Sequence, residues 1–233
     1  MRYLLYTSFL ALLPGMAQAQ GSNPGDPDYW QKPASLRASI SLSTSAVING
    51  VIMKKPQLGL NLSGEKADAF YGASISTVDN NLGSDSQDQL YAGYRQSLGK
   101  VQIRYQASYR AYPGTLDQYT DSSLVYQVTA SRSFFGVGTS LSAEYSDADF
   151  ANVRKSYGVN GSVSHGLMKN MSGWMSLSYH KQWGGVDSLN TNIGLWYQVT
   201  PKMGLSASVN NWHAYASWNR DRPTLSVGIS RTL

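Results

Sequence analysis

Arginine is the residue type in this sequence best placed to act without a cofactor. Arg104 and Arg110 stand at alternate positions of VQIRYQASYR (101–110) with Gln102, Gln106 and Ser108, while Val101, Ile103, Tyr105, Ala107 and Tyr109 fill the positions between. Arg37, Arg95, Glu144 and His180 fall on the polar side of similar runs. If such a face lines an enclosed aqueous path, its fixed charge biases which ions enter, and guanidinium groups favour anions. The same side chains can instead pair with Glu144 or other interior carboxylates and fill the space.

Catalytic chemistry has a weaker basis. His213, Ser217 and Asp221 occur together in NWHAYASWNRD (211–221), which invites comparison with hydrolases that use His and Ser at a barrel rim. The segment lacks the His-x-Ser-Asn arrangement of outer-membrane lipases, and no motif positions a third residue. His213 beside Trp212 and Tyr215 reads as an interface or loop residue, and His165 and His180 are isolated. No HExxH, paired histidine or acidic calcium loop occurs, and the spacing in DNNLGSDSQD (79–88) matches no cation site. The chain has no cysteine, which excludes disulfides, thiolate metal sites and cysteine nucleophiles. No enzyme activity, cofactor or metal is expected.

The elements that must position these arginines are strands. Side chains alternate between the faces of a strand, so period two over about ten residues describes a long strand with one apolar and one polar side. That length matches the roughly 9–11 tilted residues with which a strand crosses a bilayer, against about 5–6 in ordinary globular strands. LYAGYRQSLGKVQIRYQASYRAYPG (90–114) holds two such runs about a turn at Ser97–Lys100, and the pattern recurs from Leu36 to Ile229 in about twelve segments. An even number suits a closed up-and-down barrel.

Connections alternate in length. Short ones fall at Gly64–Ala67, Ser97–Lys100, Phe134–Gly136, Gly166–Asn170 and Thr200–Lys202. Longer polar ones fall at Asp79–Gln89, Pro113–Ser122, Asp147–Lys155, Trp183–Asn190 and Asn211–Arg222. Outer-membrane barrels show this asymmetry, with short turns and both termini on the periplasmic side. Val47–Lys55 (VINGVIMKK) fits poorly as an external loop because it is largely apolar; it either prolongs the first two strands or dips into the interface.

A soluble β-sandwich produces the same alternation, but its polar face is the solvent face and should be rich in Lys and Glu. Here that face is mostly Ser, Gly, Gln, Asn and Thr, and charged residues make up 14% of the chain against about 25% in typical soluble domains. Aromatics at strand ends (Tyr71, Tyr109, Tyr112, Phe134, Phe135, Trp183, Trp212) suit two interfacial girdles. The fold expected is therefore all-β, a transmembrane antiparallel up-and-down barrel of about twelve strands, with its apolar face to lipid and its arginines inside.

Residues 1–19 read as a signal peptide: Arg2 precedes an apolar run from Leu4 to Leu13, and Ala17-Gln18-Ala19 fits a small-x-small cleavage site. The run is too short for an uncleaved membrane helix, which needs about 20 residues. Residues 20–33, rich in Gly, Pro and Asp, are expected to form a periplasmic lead-in, and 34–233 the barrel. The formal charge of +5 includes Arg2, and no basic cluster points to nucleic acid. The expected partners are outer-membrane lipid, lipopolysaccharide and the outer-membrane assembly machinery; monomer and trimer both fit.

QLYAGYRQSLGKVQIRYQASYRAYPG (89–114) resembles the DLYAGY…AYPG core of the TorF-like porins, a family of Gram-negative outer-membrane barrels. QLGLNLSGEKADAFYGA (57–73) and the closing RPTLSVGISRTL (222–233) are similar to the same family. The resemblance implies an outer-membrane location and passive passage of small solutes; on the alternation of faces, Arg37, Arg95, Arg104, Arg110, Glu144 and His180 are expected to line the lumen. The other reading is a non-conducting surface or structural barrel whose external loops bind a partner or lipopolysaccharide. Two positions depart from the family. AVINGVIM (46–53) replaces its arginine- and aromatic-containing first-loop motif, so no ligand is carried over there. Leu233 stands where the assembly machinery usually reads an aromatic.

Overall fold

A computed structural model describes residues 35–47, 52–53, 56–77, 86–115, 121–148, 155–183, 187–215 and 222–233. The expected signal segment (1–19) and the expected lead-in (20–33) lie outside the described residues. The strands are β1 (Ser35–Val47), β2 (Ile52–Met53), β3 (Gln57–Lys66), β4 (Ala69–Thr77), β5 (Ser86–Leu98), β6 (Val101–Ala111) and β7 (Ser122–Phe134). They continue with β8 (Val137–Ser146), β9 (Ser156–Met168), β10 (Met171–Gln182), β11 (Ser188–Thr200), β12 (Met203–Ala214) and β13 (Arg222–Thr232). Each long strand pairs antiparallel with its sequence neighbours, and β13 closes on β1 from Ser39↔Thr232 to Val47↔Thr224. The result is a closed antiparallel barrel of twelve long strands, the two-residue β2 being an extra piece on β1. Closure gives every long strand a partner on both sides, so no sheet edge is left unpaired.

Alternation sets the faces as the sequence predicts. Leu58, Leu60 and Leu62 are exposed while Gln57, Gly59, Asn61 and Ser63 between them are half-buried, and the same pattern repeats around the ring. Exposed Leu, Ile, Val and Tyr from every long strand together form a continuous apolar band on the outside. A patch that wraps the molecule far exceeds what a water-soluble surface carries. Among the described residues no helix is long and apolar enough to cross a membrane.

Short turns join β3–β4, β5–β6, β7–β8, β9–β10 and β11–β12 at one end, and long connections lie at the other. Phe135 and Gly136 both take positive φ (49° and 78°), as a two-residue hairpin loop requires. Strands run further than the sequence suggests: β3 continues through Lys66, β5 begins at Ser86, and β12 reaches Ala214, all within stretches expected as turn or loop. Ladder bonding extends into polar segments that alternation alone ends early. In the apolar first connection, Ile52 and Met53 pair with Val47 and Ala46, which prolongs the ladder at that end; residues 48–51 and 54–55 lie outside the described residues.

Of the aromatics expected at the girdles, Tyr71, Tyr109, Phe134, Phe135 and Trp183 are exposed, and further tyrosines cluster on the outer face. On β7, β8 and β9, Tyr126, Tyr145 and Tyr157 stand in register and touch ring to ring, with centroids 6.4 and 5.3 Å apart. Trp212 corrects the expectation. It lies three residues after the outward Val209 and pairs with the inward Asn190, so register puts it on the inner face and outside the girdle. A strand end was visible in the sequence, but the parity that decides the face depends on where the strand begins.

Candidate functional site: the barrel lumen

Twelve strands spaced about 4.8 Å apart and tilted about 45° trace a backbone ring roughly 25 Å across. The inward positions are largely Ser, Gly, Asn, Gln and Thr, too small to fill such a space. All the expected site residues lie on the inner register, and they gather in two groups.

The first group lies near the short turns. Arg95 and Arg104 are direct cross-strand partners on β5 and β6, an arrangement of like charges that is unfavourable by itself. Two neighbours compensate. Arg95 Nη2 donates to Glu65 Oε1 at 2.8 Å, and Phe70 lies beneath both guanidinium groups, with their Cζ atoms 5.1 Å (Arg95) and 4.0 Å (Arg104) from the ring centroid. The negative ring face attracts both cations, which keeps them close together. Phe70 reaches that position because its cross-strand partner is Gly93; a Cβ there would run into the Phe70 ring. Phe70 is therefore 3% exposed, one of two buried hydrophobic residues among those described. Arg104 Nη2 also donates to Gln106 Oε1 at 2.7 Å, and Gln106 Nε2 donates to Ser108 Oγ at 3.0 Å. Arg37 on β1 pairs in register with Ser63, two residues from Glu65 on the same face of β3.

The second group lies toward the long connections. Arg110 Nη2 and Glu144 Oε2 are 3.5 Å apart, a bridge from β6 to β8 across β7. Val125, the inward residue of β7 in that region, is 1% exposed. Beyond Glu144 comes Gly158 on β9 and then His180 on β10, each pair in direct register. A Cβ at Gly158 would sit 3.7 Å from His180 Cδ2 and 3.8 Å from Glu144 Cβ. Arg110, Glu144 and His180 thus form one row.

Among the described inward side chains, four arginines (Arg37, Arg95, Arg104, Arg110) stand against two glutamates (Glu65, Glu144), an excess of two positive charges. All six lie on β1 and β3 to β8. The described inner face of β9 to β13 carries mainly Ser, Asn, Gly, Gln and Thr with His180, Trp174, Trp196 and Trp212. Trp174 lies on Gly194 and Trp196 on Gly204, each against the neighbouring strand where a Cβ would enter the ring.

Glu65, Phe70, Trp174 and Trp196 were not among the expected site residues. Glu65 falls in what reads as a turn. Phe70 stands just before the apolar alternation that reads as its strand (Tyr71, Ala73 and Ile75), yet period two from Gly72, Ser74 and Ser76 puts it on the polar face. An aromatic inside a polar run, with glycine at the matching place on the next strand, was the available signal. Of the suggested hydrolytic trio, Ser217 and Asp221 lie outside the described residues. His213 lies on the outward register of β12, its ring edge-on to Tyr215 at 5.0 Å.

No protein-family model matches the sequence, and no curated protein does. Solved structures do match. The chain is similar to the KdgM porin with TM-score 0.61 and 14% identity, covering 83% of this chain and 98% of that one. It is similar to the NanC porin with TM-score 0.61 and 10% identity, covering 84% and 100%. An outer membrane channel from Pseudomonas putida F1 matches with TM-score 0.57 and 12% identity, covering 91% and 100%. At such identities the likeness establishes the barrel fold.

Proposed function

We propose that this chain is an outer-membrane channel through which small solutes pass passively, with a weak preference for anions. The observation that carries the reading is the combination of an exposed apolar exterior with a closed interior of small polar side chains and surplus arginine. The exterior matches hydrocarbon, where a closed barrel satisfies all its backbone groups. The interior matches water, and fixed positive charge in a confined path favours anions. Arg37, Arg95, Arg104 and Arg110 set that preference, and Glu65 and Glu144 moderate it.

Export through a cleaved signal at residues 1–19 belongs to the same reading. So do insertion by the outer-membrane assembly machinery and contact of the outer face with outer-membrane lipid and lipopolysaccharide. The likeness to porin structures and the sequence runs similar to the TorF-like family support it.

One observation favours the alternative, a non-conducting barrel that binds partners through its loops. Arg95 and Arg110 are ion-paired, as expected if the arginines merely fill the interior. Planar-bilayer recording separates the two readings. Conductance steps with an anion-side reversal potential that shrinks in Arg104→Ala support the channel. Absence of steps, together with partner binding lost on loop deletion, supports the alternative.

A further inference from the structure

Of the three inward tryptophans on β10 to β12, Trp174 and Trp196 form flat aromatic plates on the wall. Trp174 and Trp196 each lie with one ring face on a glycine of the next strand, and both remain half-exposed inside the barrel. Glycine beneath the ring holds the indole parallel to the wall and turns its other face to the lumen. Gly194 is opposite Ser208 and Gly204 is opposite Gln198, so the two glycines lie on adjacent strands four positions apart. At about 3.3 Å per residue and 4.8 Å between strands, the plates are about 14 Å apart.

Beside them on β11 are Asn192 and Asn190, whose Oδ1 atoms are buried and receive no hydrogen bond from the protein. Their amides therefore have bonding capacity that the wall does not use, and a turn of χ2 offers it to the lumen. No charged residue is described on this stretch of inner face.

The geometry points to a binding track for uncharged oligosaccharides of pyranose rings. A pyranose has a face of C–H groups that fits the negative face of an indole. Its rim of hydroxyls suits amide partners, whereas a flat apolar arene would leave the asparagines unmet. Two plates about 14 Å apart suit a chain of about four hexoses, whose end rings lie three repeats of about 5 Å apart, better than a single ring. The track rests on the reading of the lumen as a water-filled passage, and it adds ring recognition to a path otherwise described by charge.

The test is calorimetric titration of the refolded full barrel in a detergent without a sugar headgroup, with maltotetraose, glucose and sorbitol as probes. Calorimetry reads binding whether or not the barrel conducts. Maltotetraose is expected to bind more tightly than glucose, which reaches one plate, and sorbitol, which has hydroxyls but no ring face, more weakly than either. Trp174→Leu and Trp196→Leu are each expected to weaken maltotetraose about tenfold, and Trp174→Tyr to restore most of the loss. No binding of maltotetraose, equal binding of sorbitol, or binding indifferent to both leucine variants overturns the track. The wild-type comparison of maltotetraose with sorbitol stands even if a variant fails to fold. Maltotetraose binding without bilayer conductance supports the track while defeating the passage. Conductance without maltotetraose binding defeats the track alone.

Discussion

The two halves of the lumen meet the same structural demand by different means. On β4 to β6, Phe70 lies against Gly93 and holds two arginines above it, with Glu65 completing the balance. On β10 to β12, Trp174 and Trp196 lie against Gly194 and Gly204 with no charge over them. Both halves place an aromatic in a gap that glycine opens on the neighbouring strand, which stiffens a wall otherwise made of small residues. In the first half the ring is covered and serves as a base for cations. In the second its face is open. A solute crossing the barrel would therefore meet fixed positive charge on one side and neutral aromatic and amide surface on the other. The proposed anion preference accordingly belongs to the first half and the proposed ring recognition to the second.

Burial gives the largest expected contrast. Phe70→Ala removes a buried ring and two cation–π contacts, and is expected to cost about 3–5 kcal/mol in urea unfolding from lipid vesicles. Trp174→Ala, half-exposed to the lumen, is expected to cost clearly less; equal losses would mean that the halves are not packed differently. The outer faces should not differ. Leu60→Arg on β3 and Leu195→Arg on β11 put a charge on the lipid side and are each expected to cost about 2–4 kcal/mol, least if the site lies near an interface. A loss at only one of them would show that the apolar band does not face lipid all round.

Smaller effects separate the halves by conduction. Gly194→Ala drives a Cβ into the Trp174 ring and should push it into the lumen, lowering single-channel conductance. Gly158→Ala meets only ordinary contacts at 3.7–3.8 Å and should leave conductance near the wild-type value. Glu65→Gln is expected to change stability least, by under about 1 kcal/mol, because the Glu65–Arg95 pair is partly exposed. It removes one of the two interior glutamates and should make the reversal potential more anion-selective. A shift toward cations would contradict the charge assignment.

Much of the barrel was legible before any coordinates. The alternation of Leu58, Leu60 and Leu62 or of Val101 to Arg110 gives both the strands and their faces, because a strand has a fixed two-residue period. The end of each strand is less legible. Lys66 and Ser86 continue ladders through polar sequence, where the pattern that marks a strand fades before its hydrogen bonds do. The same limit concealed Glu65 and Phe70, which lie beside the β3–β4 turn, and put Trp212 on the wrong face. Arg95, Arg104, Arg110, Glu144 and His180 could be assigned to the interior one at a time. Their partners could not, since Arg95–Glu65 joins residues 30 apart and Arg110–Glu144 crosses an intervening strand. The role of Gly93, Gly194 and Gly204 as seats for aromatic rings depends on cross-strand register, which a single strand's sequence does not contain.

The central claim, that the arginine-bearing half sets the selectivity of an open path, is tested most directly by reversal potential. The refolded barrel would be recorded in planar bilayers under a potassium chloride gradient, wild type beside Arg104→Ala. The account predicts discrete conductance steps, a potential displaced toward the chloride equilibrium value, and a smaller displacement in the variant. Silent bilayers, or a cation-selective potential that Arg104→Ala leaves unchanged, would contradict it.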